Sequence, residues 1–336
     1  MKLLISTGIF PPEIGGPAQY AMNLRDEFRR QGFKVQVATF GYEKKLPTGI
    51  RHGAFFFKAL WHAATSDRII LLDTFSVALP TIAAARIFNK PVIVRIGGDF
   101  LWESYVERSH QRIPLNAFYK ENTHFPALTY KEKAIFKITR HVLKHCAFYA
   151  FTTEWQLELW KEPYALQAAK SKIVTNFMGK KLPSFEPERK IFLWAGRPIF
   201  LKNISMLKEA FEAAQEIDSS IALECIQAPQ EVLQAKIAQC YAVIVPSLSE
   251  VSPNLILDAL RHSKPFIVTK HNGLSAQLEG CGISIDPLDK NDIKDKILLL
   301  ANEDAYAKER KKVEQFSRTH SWQEIADEYK SLFTTL

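Results

Sequence analysis

The chain predicts an α/β protein built from two doubly wound parallel-sheet domains in tandem, and three observations carry that expectation. Apolar runs of strand length recur between longer amphipathic segments. Those runs are continuously apolar rather than alternating, as strands are when helices cover both sheet faces. A charged, proline-bearing stretch, residues 179–190, separates an early series of runs from a late one. The early series predicts strands at Lys2–Ser6, Lys34–Thr39, Arg68–Leu72, Val92–Ile96 and Phe148–Thr152. The late series predicts strands at Ile191–Ala195, Ile221–Cys225, Tyr241–Val245 and Pro265–Thr269. The expected division is a first domain over 1–178, a second over 179–320, and a last helix over 321–336 that returns to the first domain. Two such domains would face a central cleft.

Composition narrows the class. The 336 residues exceed one ordinary domain. With 47% hydrophobic and 24% charged residues the chain reads as globular, and no apolar run reaches bilayer-spanning length. Met1–Thr7 is too short for a signal-peptide core and reads as a first strand. Cys146, Cys225, Cys240 and Cys281 are scattered, without zinc or disulfide spacing, so a cytoplasmic protein is expected. The net charge of +8 favours anionic partners without choosing among nucleotides, anionic lipid and nucleic acid.

Residues 243–269 are the most informative segment. They read as a buried strand, a polar loop, a sharply started helix and another buried strand. Ser252 suits the N-cap and Pro253 the first helical turn, so the helix is expected to open there and aim its unpaired N–H groups at the loop. Asn254 and Asp258 fall one turn apart on one face. Glu250 precedes the helix on the same loop. A carboxylate beside an anion-attracting helix end makes electrostatic sense if it binds hydroxyl groups, so a phosphorylated sugar fits the set.

Four further segments carry chemistry, each with a plainer alternative. In Phe10–Tyr20, Gly15 and Gly16 let backbone approach a ligand, or form an ordinary strand-to-helix turn; the dinucleotide glycine fingerprint is absent. Arg197 and Lys202 follow the strand ending at Ala195, where parallel sheets bind ligands, or are two solvated cations. Asp99 follows Gly97 and Gly98 at the end of a buried strand, as a substrate-facing carboxylate or as a turn aspartate or helix N-cap. Lys133, Lys137, Arg140 and Lys144 make one stripe on a helix, which rests on anionic lipid or is a solvated face. Just upstream, Trp102, Tyr105, Phe118, Tyr119 and Phe125 either shape an acceptor site or pack. There is no Asp-x-Asp motif, and no metal is implied.

Together, Phe10–Tyr20, Gly196–Asn203 and Val245–Thr269 resemble the retaining glycosyltransferases of the GT-B fold, specifically glycosyltransferase family 4, and the likeness runs nearly end to end. The resemblance implies that Gly15 and Gly16 approach the donor phosphates or the acceptor, and that Arg197 and Lys202 hold the diphosphate. It implies that Glu250 meets donor-sugar hydroxyls, that Asp258 grips the ribose, and that the Ser252-Pro253-Asn254 turn offers N–H groups to sugar or phosphate. Three positions depart from the family pattern. Asp258 stands in place of a glutamate. Gly97-Gly98-Asp99 stands where a histidine is common, with Asp99 a candidate for its catalytic role. The span from Lys202 to Pro246 is short, so the second domain is expected to be a reduced version.

The resemblance thus implies a peripheral membrane enzyme that moves a sugar from a nucleotide diphosphate donor to a saccharide or lipid-linked acceptor. Retention of configuration, no cofactor, no nucleic-acid partner and a place in envelope polysaccharide or glycolipid synthesis follow from the same source. A nucleotide-sugar epimerase of the same fold and a non-catalytic nucleotide-sugar-binding scaffold are the alternatives.

Overall fold

A computed structural model describes residues 1–13, 15–120 and 127–335. Its contacts divide the chain into two compact units. Unit 1 holds Met1–Leu101, residues 127–177 and the segment from His320; unit 2 holds residues 102–120 and Met178–Thr319.

Unit 1 contains, among the described residues, a six-stranded parallel sheet of β1 (Lys2–Thr7), β2 (Lys34–Thr39), β3 (Arg68–Leu71), β4 (Val92–Ile96), β5 (Phe148–Phe151) and β6 (Ser171–Ile173). Their order is β2-β1-β3-β4-β5-β6. Helix α1 (Gly16–Arg30) connects β1 to β2, while α2 (Thr48–Thr65), α3 (Ala78–Ile87) and α6 (Tyr130–His145) belong to connections running the other way across the sheet. Right-handed crossovers therefore put α1 on one face and α2, α3 and α6 on the other. The side chains agree. The core under α1 joins Leu3, Ile5, Ile70 and Ile93 to Leu24 and Phe28, and to Ile325, Tyr329 and Phe333 of α13 (Trp322–Thr334). The last helix of the chain thus packs on the first. Ser321 and Glu324 form a capping box that starts it, two orphan N–H groups being satisfied reciprocally.

Unit 2 repeats the plan with five described strands: β7 (Lys190–Ala195), β8 (Ile221–Ile226), β9 (Ala242–Val245), β10 (Phe266–Thr269) and β11 (Ile283–Ile285). Their order is β11-β10-β9-β7-β8. Counted from its own first strand this is the same 2-1-3-4-5 arrangement as in unit 1. Strand periodicity splits the core in two. Phe192, Trp194, Ala242, Ile244 and Ile267 face α8 (Ile204–Gln215) and α11 (Lys290–Ala301). Leu193, Val243, Val245, Phe266 and Val268 face α10 (Asn254–Arg261) and Val313 of α12 (Glu303–Gln315).

Three features differ from the sequence expectation. Strands β6 and β11 have three residues each, too short for an apolar-run signal. The charged stretch 179–190 lies along unit 2, with Leu182 N–H bonded to the Arg261 carbonyl at 2.7 Å and Phe185 N–H to that of Ala238 at 3.0 Å. The buried Lys264 ammonium donates to the Phe185 carbonyl at 2.7 Å, a compensated burial for a cation that desolvation drives towards its neutral form. Finally, α10 begins at Asn254, one residue late. Pro253 has φ −68° but ψ 100°, so it is the cap rather than the first helical residue, and Ser252 is not the N-cap.

Candidate functional site

In a doubly wound sheet the ligand crevice lies outside the carboxyl ends of the strands where the winding reverses. In unit 2 that place is between β7 and β9, and the loops leaving those two strands carry Arg197, Lys202 and Glu250.

The loop after β7 is held rigidly. A 3₁₀ turn, Phe200–Lys202, runs into Asn203, which adopts the left-handed conformation (φ 56°) and is buried. Its amide donates to the carbonyls of Pro246 at 3.2 Å and Pro287 at 2.7 Å, tying the loop to those after β9 and β11. Asparagine tolerates this backbone region better than most residues, and its amide supplies the two bonds. Leu248 N–H bonds to the Leu201 carbonyl at 2.9 Å, joining the two site loops directly. From residues 102–120 comes a further clamp. The Glu107 carboxylate accepts the N–H groups of Phe200 at 3.1 Å and Leu201 at 2.8 Å, and the His110 ring stacks on Phe200 at 4.9 Å. Leu115 N–H donates to Ser249 Oγ at 2.9 Å.

This framework brings Lys202 and Glu250 together: Lys202 Nζ lies 2.6 Å from Glu250 Oε1, and Ser247 Oγ donates to the same oxygen at 2.6 Å. Glu250 backbone is fixed by bonds from its N–H to the His271 carbonyl and from Gly273 N–H to its own carbonyl, both 3.0 Å. Arg197 is exposed on the same loop as Lys202. A cation and an acid held so close give the loops both signs of charge, one suited to phosphate oxygens and one to hydroxyl groups.

Asp258 lies on α10 and is largely buried. Its carboxylate accepts from Gln230 Nε2 at 3.2 Å and Arg261 Nη1 at 3.1 Å. Burial nevertheless raises its pKa above the ordinary carboxylate value, against the lowering effect of those partners.

Gly15, Gly16, Asp99 and the α6 cations belong to unit 1. Gly15 has φ 154°, a backbone conformation that L side chains rarely adopt, and α1 starts at Gly16 with Pro17 in its first turn and no acid there. Asp99 is 1% exposed, and its Oδ2 accepts from Trp160 Nε1 at 2.7 Å. Its position is that of a buried, hydrogen-bonded carboxylate in unit 1. Lys133, Lys137, Arg140 and Lys144 all lie exposed on α6. Trp102, Tyr105, Phe118 and Tyr119 are buried in unit 2, and Phe125 lies outside the described residues.

Glu107, Asn203, Ser247 and Gln230 were not signalled by the sequence. Asn203 could have been found, since an Asn before a helical run is a standard left-handed or capping position. Glu107 sits on an amphipathic helix, α4 (Phe100–Ser109), and nothing local marks its partner 93 residues away.

No protein-family model and no curated protein matches the chain. Solved structures do. Sucrose-phosphate synthase from Thermosynechococcus elongatus is similar at TM-score 0.73 and 14% identity, over 99% of this chain and 98% of that one. HepE of Anabaena, in complex with UDP and glucose, is similar at TM-score 0.69 and 12% identity over 100% of both chains. WaaG, a glycosyltransferase involved in lipopolysaccharide biosynthesis, is similar at TM-score 0.68 and 11% identity over 99% of both. The fold is therefore that of the GT-B glycosyltransferases, two Rossmann-like parallel-sheet domains.

Proposed function

We propose that this protein is a glycosyltransferase that moves a sugar from a nucleotide diphosphate donor to a saccharide or lipid-linked acceptor, with retained configuration and without a metal. The observation that carries this is the Lys202–Glu250 pair at the point of sheet reversal in unit 2, with Arg197 on the same loop. Cleaving a glycosyl–phosphate bond builds negative charge on the leaving diphosphate. Lys202 and Arg197 supply preorganised positive charge for it, on a loop that Asn203 and Glu107 hold in place. Glu250 accepts hydroxyl hydrogens of the donor sugar. Binding then exchanges partners: the ammonium turns from Glu250 to phosphate while the carboxylate accepts sugar hydroxyl hydrogens, so the cation keeps an anion and the carboxylate keeps hydrogen-bond donors. Asp258 would accept the ribose diol in its ionised form. The Ser252-Pro253-Asn254 turn contributes N–H groups at the start of α10, and Gly15 and Gly16 leave the α1 N-terminus open to phosphate or acceptor.

The solved neighbours include HepE bound to UDP-glucose and enzymes of lipopolysaccharide synthesis, which supports a nucleotide-sugar donor and an envelope glycan or glycolipid product. The basic stripe of α6 fits peripheral contact with an anionic membrane, and no described helix is long and apolar enough to cross one. A second reading, a non-catalytic binder of nucleotide sugars, draws support from Asp99, whose carboxylate is buried against Trp160.

The test is a panel of UDP-, GDP-, ADP- and dTDP-sugars incubated with wild type and Glu250→Gln, with and without a glycolipid extract as acceptor. Acceptor-dependent transfer that the variant loses supports the proposal. Donor turnover without acceptor indicates an epimerase, and binding without turnover indicates the scaffold.

A further inference from the structure

Helices α2, α3 and α6 form one outer layer of unit 1, with α3 packed against both others. Two properties of this layer are unusual together. The first is apolar exposure. Helix α2 buries Phe55, Ala59 and Ala63 against the sheet, yet its opposite side carries Ile50, Phe57 at 69% exposure and Trp61 at 74%. At 100° per residue Ile50, Phe57 and Trp61 fall within about 40° of one another, a single ridge along the helix. Tyr42, in the turn before α2, is 87% exposed, and Ile87 at the end of α3 is 61% exposed. A helix that is apolar on both sides is one whose outer side is covered when it works.

The second is charge. Across the three helices there are eight Lys or Arg residues, Arg51, Lys58, Arg86 and five on α6, against one acid, Glu132. Glu132 is buried in the capping box that starts α6. Lys58 is paired with Glu43, 2.5 Å away, while Lys133, Lys137, Arg140 and Lys144 form no ion pair among the described residues. The cations of neighbouring helices feel each other: besides burial, His145, Arg86 and Lys144 hold the His141 imidazole below its ordinary pKa.

We propose that this layer is the membrane-docking face of the protein, with Ile50, Phe57 and Trp61 entering the headgroup–acyl boundary of an anionic bilayer and the cations of α6 resting on its phosphates. A lipid surface satisfies both properties at once, since Trp and Tyr favour the membrane–water interface and basic residues the anionic headgroups. A second copy of the chain does not, because a two-fold contact through this face would bring two basic layers together. Nucleic acid would meet the cations and leave the apolar ridge against water or phosphate. The inference deepens the lipid-contact part of the proposed function and is independent of its transfer chemistry.

The experiment is co-sedimentation with phosphatidylcholine vesicles, with and without phosphatidylglycerol, together with quenching of tryptophan fluorescence by brominated acyl chains. Wild type is expected to bind the phosphatidylglycerol vesicles in a salt-sensitive way and to be quenched more than Trp61→Phe. Phe57→Ser/Trp61→Ser should lose about tenfold or more in binding at unchanged thermal midpoint, because both side chains are exposed. Lys137→Gln/Arg140→Gln should lose binding and its salt dependence. Undiminished binding by the double serine variant, or no binding of wild type to either vesicle, overturns the proposal. A lipid-free dimer that the serine variant dissolves also overturns it and assigns the face to self-association. Nucleotide binding is measured on the same samples. Vesicle binding without nucleotide binding keeps this inference and removes the transferase reading, and the reverse result does the opposite.

Discussion

In unit 2, the loops after β7 and β9 bring Lys202 to 2.6 Å from Glu250, both within reach of solvent. In unit 1, the equivalent loops after β1 and β3 turn their chemistry inward. Asp73 accepts the N–H groups of Phe75 at 2.7 Å and Val77 at 3.2 Å together with the Ser76 hydroxyl, and burial in the loop pushes its carboxyl up. The five strands of unit 2 follow the same order as the first five of unit 1, and the loops at these matching strand ends differ. One arrangement presents opposed charges, and the other presents a glycine-opened helix start with its carboxylates already occupied. The comparison teaches that one scaffold can assign charge recognition to one half and backbone recognition to the other.

The comparison is broken most severely at the charged pair. Lys202→Ala should weaken nucleotide diphosphate binding by about 1.5–3 kcal/mol, the range for charge-assisted bonds, while Glu250→Gln should keep nucleotide binding and lower transfer about a hundredfold. Equal loss of free-nucleotide binding in both variants would remove the division of labour between them.

Next in size is a matched pair of glycines, each the residue after the first strand of its unit. A Cβ on Gly8 would lie 2.8 Å from Ser76 Oγ and 3.2 Å from Asp73 Oδ2, whereas one on Gly196 meets only Trp194 ring carbons at 3.5 and 3.7 Å. Gly8→Ala should therefore cost about 1–3 kcal/mol in denaturant unfolding, and Gly196→Ala less than about 0.5. Similar costs at both would show that the loop of unit 1 is not closed in the way described.

A smaller effect is expected at Glu107, a positioning residue. Glu107→Gln keeps one acceptor oxygen for Phe200 and Leu201 but loses the charge, so stability should fall by about 1 kcal/mol and donor KM should rise with kcat little changed. A fall in kcat at constant KM would contradict a role in placing Lys202.

The smallest effect concerns pH and the return of the chain to unit 1. Burial opposes charge on His320, but Glu328, 3.2 Å from its Nε2, together with the Asn176 carbonyl, raises the ring's pKa above 6.5 overall. Because the folded value is raised, this contribution is fully present below pH 6.5 and is lost as pH climbs through the folded pKa. His320→Gln should flatten that decline in the thermal midpoint, and an unchanged profile would remove His320 from the account.

What the sequence disclosed follows the same physics. Leu3–Ile5, Ile69–Leu71 and Val243–Val245 are buried on both faces, so they stand out as apolar runs. Edge strands β6 and β11 are half covered and three residues long, and left no such trace. The loops that bear Arg197, Lys202 and Glu250 were legible because they follow buried parallel strands, the place where such sheets bind ligands. The contact of Lys202 with Glu250 was not, because their loops, 48 positions apart, are joined by Asn203 and Leu248 only in three dimensions. The start of α10 was misjudged by one residue: Pro253 has a helical φ, but its extended ψ is invisible to sequence. Residues 102–120 read as part of the first half, while their hydrogen bonds and ring contacts lie with Phe200 and Ser249 of unit 2.

The central claim, that the loops after β7 and β9 hold a nucleotide diphosphate, is tested most directly by calorimetric titration. Wild type and Arg197→Ala/Lys202→Ala would each be titrated with UDP, GDP, ADP and dTDP, without and with magnesium. One nucleotide family should bind wild type equally well in both conditions, and the double variant should lose about tenfold or more in affinity. Undiminished binding by the double variant, or no binding by wild type to any of the four, would contradict it.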